Sequence, residues 1–148
     1  MQGSDAAGAI GHGWTYSAHP ICAAAGVANL ELIDELGLVE NAGKTGAYFR
    51  SELAKALADH KHVGEVRGDG LMAAVEFVED KDDRAFFDPA KKVGPQIAVA
   101  LLERGVIGRA MPQGDILGFA PPLCLTKKEA DIVVKAAADA ITSVLGSK

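Results

Sequence analysis

Apolar residues recur along this chain with two different periods, and the changes of period mark out its elements. Over residues 20–36 the small residues Ala23, Ala24, Ala25 and Gly26 lead into Val27, Leu30, Ile33 and Leu36, a helical spacing that predicts a mostly covered helix. Over residues 38–57, Ala42, Gly46, Phe49, Leu53 and Leu57 return every three or four positions and predict a second, amphipathic helix, with Glu40, Lys44, Arg50 and Lys55 off its apolar face. The period then drops to two. Residues 63–67 run into Gly68-Asp69-Gly70, a turn signal, after which Leu71, Ala73, Val75 and Phe77 alternate with Met72, Ala74, Glu76 and Val78, predicting two antiparallel strands. Residues 79–84 read as an exposed charged loop tacked down by Phe86 and Phe87. A third helix is expected over about residues 90–104, turning Val93, Ile97 and Leu101 inward and stopping at Gly105. Residues 106–109 and 116–119 predict two short strands around Pro112-Gln113-Gly114-Asp115. Thr126-Lys127-Lys128-Glu129 has the form of a capping box, and it opens a last helix with the stripe Ala130, Val133, Val134, Ala137, Ile141 and Leu145, ended by Gly146.

This order of elements describes an α+β fold, a small, mainly antiparallel sheet covered by helices on one face. The length of 148 residues fits one domain with a modest core. A net charge of −5 with scattered lysines argues against a nucleic-acid partner, which needs clustered cations. No apolar run approaches the roughly 20 residues that span a bilayer, and Met1-Gln2-Gly3-Ser4-Asp5 has neither the basic region nor the apolar core of an export signal. No membrane partner and a cytoplasmic location are therefore expected. Cys22 and Cys124 lie in apolar segments and read as buried thiols, not as a disulfide framework.

The candidate chemistry begins at Gly11-His12-Gly13-Trp14-Thr15-Tyr16-Ser17-Ala18-His19-Pro20. The glycines on either side of His12 free the backbone to present successive N–H groups, Thr15 and Ser17 add hydroxyl donors, and Pro20 is preorganised for the first turn of a helix. A helix N-terminus favours negative charge, so a phosphate suits this loop. A glycine-rich connector before an ordinary helix start is the other reading of the same residues. Arg109 stands between an apolar strand and a turn, where its planar fork suits a carboxylate, although an arginine in such a place more often makes a surface ion pair. Arg67 reads as structural. His60 and His62 lack the third and fourth ligands of a zinc site, so no metal is expected, and Cys22 has no partner base.

The opening loop closely resembles the GHGxTYSGHP loop of class III (omega-type) aminotransferases, pyridoxal-phosphate enzymes of fold type I, with Ala18 at the usual glycine. Val66-Arg67-Gly68-Asp69-Gly70-Leu71-Met72 is similar to the family's VRGxGLM hairpin, and Gly105-Val106-Ile107-Gly108-Arg109-Ala110 followed by Phe119-Ala120-Pro121-Pro122-Leu123 is similar to its last strand pair. The resemblance implies the C-terminal portion of such an enzyme. Residues 1–19 would hold the cofactor-phosphate loop at the end of a large domain, residues 20–36 a connecting helix, and residues 37–148 the small domain.

It further implies that Gly13, Trp14 and Thr15 contact the phosphate of pyridoxal 5'-phosphate bound mainly by a homodimer partner, and that Arg109 holds the carboxylate of a substrate. The substrates implied are a small-molecule amine or amino acid and a keto acid or aldehyde. No lysine here lies in a context like the family's Schiff-base motif, so no catalytic residue is assigned. The 148 residues alone are expected to be inactive and not to retain the cofactor, needing the large domain of the same enzyme. The alternative is a non-enzymatic association or regulatory module that keeps the small-domain fold.

Overall fold

The computed structural model describes residues 13–112 and 115–146; Gly11 and His12 of the loop, and Gln113 and Gly114 of the predicted turn, lie outside the described residues. The chain forms two compact units that divide between Leu36 and Gly37. In the first, α1 spans Pro20–Glu35 with proline in its first turn, as its fixed φ allows.

The helix buries none of its residues, contrary to the covered helix its apolar content predicts. Ile21, Val27, Leu30, Leu32 and Leu36 are all exposed. At 3.6 residues per turn these positions spread around the axis without forming one stripe, so contact on one face alone would leave some of them exposed. Cys22, on the same helix, is exposed for the same reason. Cys124 is also exposed, because its neighbour Leu125 takes the inward position after the proline pair.

The second unit is a four-stranded sheet with helices on one face. Its strands are β1 (Val63–Asp69), β2 (Met72–Phe77), β3 (Arg109–Ala110) and β4 (Ile116–Phe119), in the spatial order β1-β2-β4-β3, every pair antiparallel. Alternation decides the faces. Ala73, Val75, Phe77, Leu117 and Phe119 point inward, into one cluster with Phe49, Leu53 and Leu57 of α2 (Leu38–Leu57), Val93, Ile97 and Leu101 of α3 (Val93–Leu102), and Ala130, Ala137 and Ile141 of α4 (Lys127–Leu145). Phe49 meets Phe119 edge to face, ring centres 5.9 Å apart.

Two contacts fix where the hairpin sits. A Cβ at Gly46 of α2 would lie 1.9 Å from the Gly70 carbonyl oxygen, so only glycine permits helix and hairpin to approach this closely. One turn on, the Arg50 guanidinium donates to the same carbonyl. Asn41 does the corresponding work for the segment after β4: its Nδ2 donates to the carbonyls of Leu123 at 2.7 Å and Leu125 at 3.1 Å, while its Oδ1 accepts from the buried Thr45 hydroxyl.

Two boundaries and one loop contact differ from the sequence expectations. The third helix is shorter, because Pro89–Lys91 form a 3-10 turn capped by Asp88 and Lys92 adopts a left-handed φ of 48° before α3 starts. β3 is only two residues long. Gly108 lies so close to Leu101 that a Cβ would stand 2.6 Å from Leu101 Cδ2, and the chain enters the sheet only after this crossing. Of the aromatic pair, Phe87 is buried and Phe86 exposed, so one ring tacks the loop down. The capping box forms as expected: Thr126 Oγ1 accepts from Glu129 N–H, and the Glu129 carboxylate accepts from Thr126 N–H at 2.8 Å.

Candidate functional site

Each unit carries one candidate site. In the first, residues 14–17 form a tight turn in which the Ser17 N–H donates to the Trp14 carbonyl at 2.9 Å and the Trp14 N–H donates to Ser17 Oγ at 2.8 Å. The His19 N–H then donates to the Tyr16 carbonyl, delivering the chain to Pro20. Thr15 stands at the middle of this turn, exposed, and Gly13 and Trp14 are exposed beside it. Among the described residues no side chain caps the N-terminus of α1. A hydroxyl at a turn next to an uncapped helix start is a donor set that fits a phosphate. Ala18 adopts φ 61°, the left-handed region, at the position where the resembled loop has glycine, so its methyl group adds backbone strain of about 1 kcal/mol.

The second site lies on the sheet face opposite the helices. A groove of about 530 Å³ is lined there by Arg67, Met72, Ala74, Arg109, Met111 and Gly118, among others. The register explains its shape. Arg67 pairs with Ala74, Ala74 with Gly118, and Gly118 with Arg109, so two arginines flank a floor of two small residues.

The arginines differ in their electrostatics. Arg67 Nη1 lies 2.6 Å from Glu76 Oε2 and 2.7 Å from Glu65 Oε2, and hydrogen bonding to Glu76 above all pushes its pKa further up. Arg109 makes no ion pair among the described residues and is exposed. A guanidinium without an ion pair among the described residues, at the mouth of a largely apolar groove, can take a carboxylate bidentately.

Of the residues singled out in the sequence, Trp14 and Thr15 lie in one turn with Gly13 just before it, and Arg109 lines the same groove as Arg67 from the opposite edge of the sheet. The place of Arg67 on the wall of the groove went unread. Its signal was the alternation of β1, which puts Glu65 and Arg67 on one face, but the partner strands were needed to show what shared that face. Among the described residues no three His, Cys, Asp or Glu side chains gather where they could hold a metal ion, and no helix is long and apolar enough to cross a membrane.

Comparison with known proteins is consistent along the chain. Residues 2–141 match the family model described as aminotransferase class-III. The chain is 53% identical over 143 residues to the diaminobutyrate–2-oxoglutarate transaminase of Halomonas elongata, covering 97% of this chain and 30% of the relative. It is 36% identical over 118 residues to the adenosylmethionine-8-amino-7-oxononanoate aminotransferase of Methanocaldococcus jannaschii, covering 80% of this chain and 25% of the relative. Among solved structures, a transaminase from directed evolution by ancestral reconstruction superposes with a TM-score of 0.88 at 58% identity, covering 96% of this chain and 31% of its own. An (S)-enantioselective omega-transaminase from Thermomicrobium roseum does so with a TM-score of 0.84 at 41% identity, covering 93% and 30%. The chain spans 25–30% of the length of these curated relatives.

Proposed function

The chain belongs to the class III aminotransferases, and from that premise we propose that it works as the C-terminal part of an enzyme that transfers an amino group from an amine or amino acid to a keto acid or aldehyde. In this reading residues 37–148 are the small domain, residues 20–36 the connecting helix, and the residues before them the end of a large domain. Exposure of apolar residues all round α1 supports the assignment of that helix to a larger body.

Pyridoxal 5'-phosphate, when bound, supplies the electron sink for the transfer. The part of this chain is to hold and orient. Thr15 Oγ1 and the uncapped first turn of α1 donate to the phosphate, held mainly by a homodimer partner, with Gly13 and Trp14 shaping the approach. Arg109 takes the carboxylate of a keto acid or amino acid through its planar fork, with the apolar groove beside it receiving the rest of the substrate. The reacting amino group and its protons are handled by residues of the large domain, so the 148 residues alone neither retain the cofactor nor turn over substrate.

The observation that supports this reading is the contrast between the two arginines of the groove: Arg67 is committed to two carboxylates, whereas Arg109 makes no ion pair among the described residues. A hybrid tests it, with this chain replacing the matching stretch of the Halomonas elongata transaminase. Amino transfer to 2-oxoglutarate by the hybrid supports the assignment. A hybrid that folds, dimerises and binds cofactor but does not transfer an amino group counts against it.

A further inference from the structure

Gly118 lies on the open face of β4, in the floor of the groove, yet it is buried. Its cover is Met111. A Cβ at Gly118 would stand 2.5 Å from Met111 Cε and 3.9 Å from Met111 Sδ, so the thioether methyl group already fills the space that a side chain at position 118 would take. The φ of Gly118 lies outside the left-handed region. Glycine is therefore required here for room and not for its backbone freedom.

Strand register brings the two residues together. Arg109 pairs with Gly118, and the Met111 N–H donates to the Ile116 carbonyl at 2.9 Å, so Met111 continues the pairing of β3 two residues further along β4. Arg109 and Met111, two residues apart, share the open face. Gly118 is thus the diagonal neighbour of Met111, about 7–8 Å away, a distance that a long side chain spans and a short one does not.

The methyl group rests between Arg109 and Ala74, in the cross-strand row that ends at Arg67. Whatever extends from a carboxylate on Arg109 across this floor meets Met111 first. Methionine suits such a place, being unbranched, free to turn about three bonds and able to fill irregular gaps. At 36% exposure its side chain also has solvent on one side to turn into.

Resting on the carboxylate contact of Arg109 proposed above, we propose that Met111 determines how large a group fits beside that carboxylate, with Gly118 as the berth that keeps the thioether methyl group down on the floor. Truncating Met111 deepens the floor and admits bulk. Adding a methyl group at position 118 lifts the thioether methyl group into the groove and excludes bulk. With both changes made, the alanine methyl group at position 118 takes the place that the thioether left, and the two effects cancel. Such cancellation is expected of residues in contact and not of distant ones.

The test uses the hybrid transaminase, with acetate and phenylacetate as unreactive competitive inhibitors of amino transfer to 2-oxoglutarate. The two share the group that Arg109 would hold and differ in the bulk attached to it. In Met111→Ala the ratio of the acetate to the phenylacetate inhibition constant should rise by about tenfold, the low end of what a methylene's worth of space decides in an apolar pocket. Gly118→Ala should lower that ratio, and Met111→Ala combined with Gly118→Ala should return it to within about twofold of the unmodified hybrid. An unchanged ratio in Met111→Ala, or a double variant that keeps the full gain, overturns the size role; if Arg109→Ala still weakens both inhibitors, the carboxylate reading stands without it. A hybrid without amino transfer, or one in which Arg109→Ala alters neither constant, overturns the carboxylate reading and the size role with it. Should Gly118→Ala not fold, the ratio in Met111→Ala decides, since Met111 lies outside the core cluster and its truncation leaves that core intact.

Discussion

Arg67 and Arg109 stand at opposite ends of one cross-strand row, with Ala74 and Gly118 between them. Directly opposed residues of an antiparallel pair share a face, and strands lie about 4.8 Å apart, so the two arginine α-carbons are separated by roughly 14 Å across one surface. A larger residue at either middle position would fill the floor between them. The row is electrically lopsided, since Glu65 and Glu76 neutralise the Arg67 end and leave the positive field to Arg109. In the proposed reading, that asymmetry favours Arg109 over Arg67 as the partner of an anion.

Arg109→Ala in the hybrid enzyme should therefore lower kcat/KM for keto acids by roughly 10- to 150-fold, the equivalent of about 1.5–3 kcal/mol for a hydrogen bond to a charged group. Uncharged aldehydes should lose much less, and Arg109→Lys should restore only part of the loss because it lacks the planar fork. Steady-state kinetics on paired charged and uncharged acceptors checks this. An equal loss on both would make Arg109 a structural residue.

Gly46→Ala should destabilise the second unit by about 3 kcal/mol or more, or prevent its folding, because the new methyl group meets backbone at 1.9 Å where no side chain can yield. Gly43→Ala, three residues earlier on the same helix, meets nothing within 4 Å and should be neutral or stabilising by a few tenths of a kcal/mol. Urea unfolding of the two variants separates a tight approach from a generic glycine effect. Equal midpoints would contradict the contact.

How much of this was legible in the sequence depends on how local the cause was. α2 and α4 could be read to within a residue or two because an amphipathic stripe and a capping box are written over a few turns, and the hairpin because its turn and its alternation are adjacent. The short β3 could not. Its boundary is set by the crowding of Gly108 against Leu101, a contact between residues that only the fold makes neighbours. The fate of α1 was misread because apolar content alone does not say whether its positions converge on one face. Arg109 and Thr15 stood out through motifs, whereas Arg67 joined the groove, and Met111 covered Gly118, only through strand register.

The capping box at the start of α4 makes a pH-dependent prediction. Glu129 is held below the usual carboxylate range, chiefly by the Thr126 N–H and then by the Thr126 hydroxyl. Its folded value is thus below its unfolded one, so the stability it contributes is present above the ordinary glutamate value near 4.5 and is lost as pH falls below it. Glu129→Gln should flatten that part of the stability curve. Thr126→Ala should cost about 1 kcal/mol at neutral pH, the usual loss for a removed N-cap hydroxyl. Thermal melts between about pH 3 and 7 test both, and an unchanged acid limb in Glu129→Gln would dismiss the carboxylate's role.

The phosphate loop yields the last prediction, and it turns on two neighbouring residues with opposite effects. Thr15 stands exposed in its turn, and removing its hydroxyl takes one donor from a charged guest, so Thr15→Ala in the hybrid should weaken pyridoxal 5'-phosphate retention by about 1–3 kcal/mol. Ala18 holds a left-handed φ of 61°, which glycine adopts without the Cβ penalty. Ala18→Gly should therefore relieve strain of about 1 kcal/mol in the bound loop and retain the cofactor at least as well as the unmodified hybrid. Serine at position 15 should rescue most of the loss, because it keeps the hydroxyl and drops only a methyl group. Equilibrium dialysis of the three variants separates the cases: a Thr15→Ala protein that holds cofactor at the unmodified level would remove Thr15 from the phosphate site, and a weaker Ala18→Gly protein would show that the alanine methyl group packs usefully in the assembled enzyme.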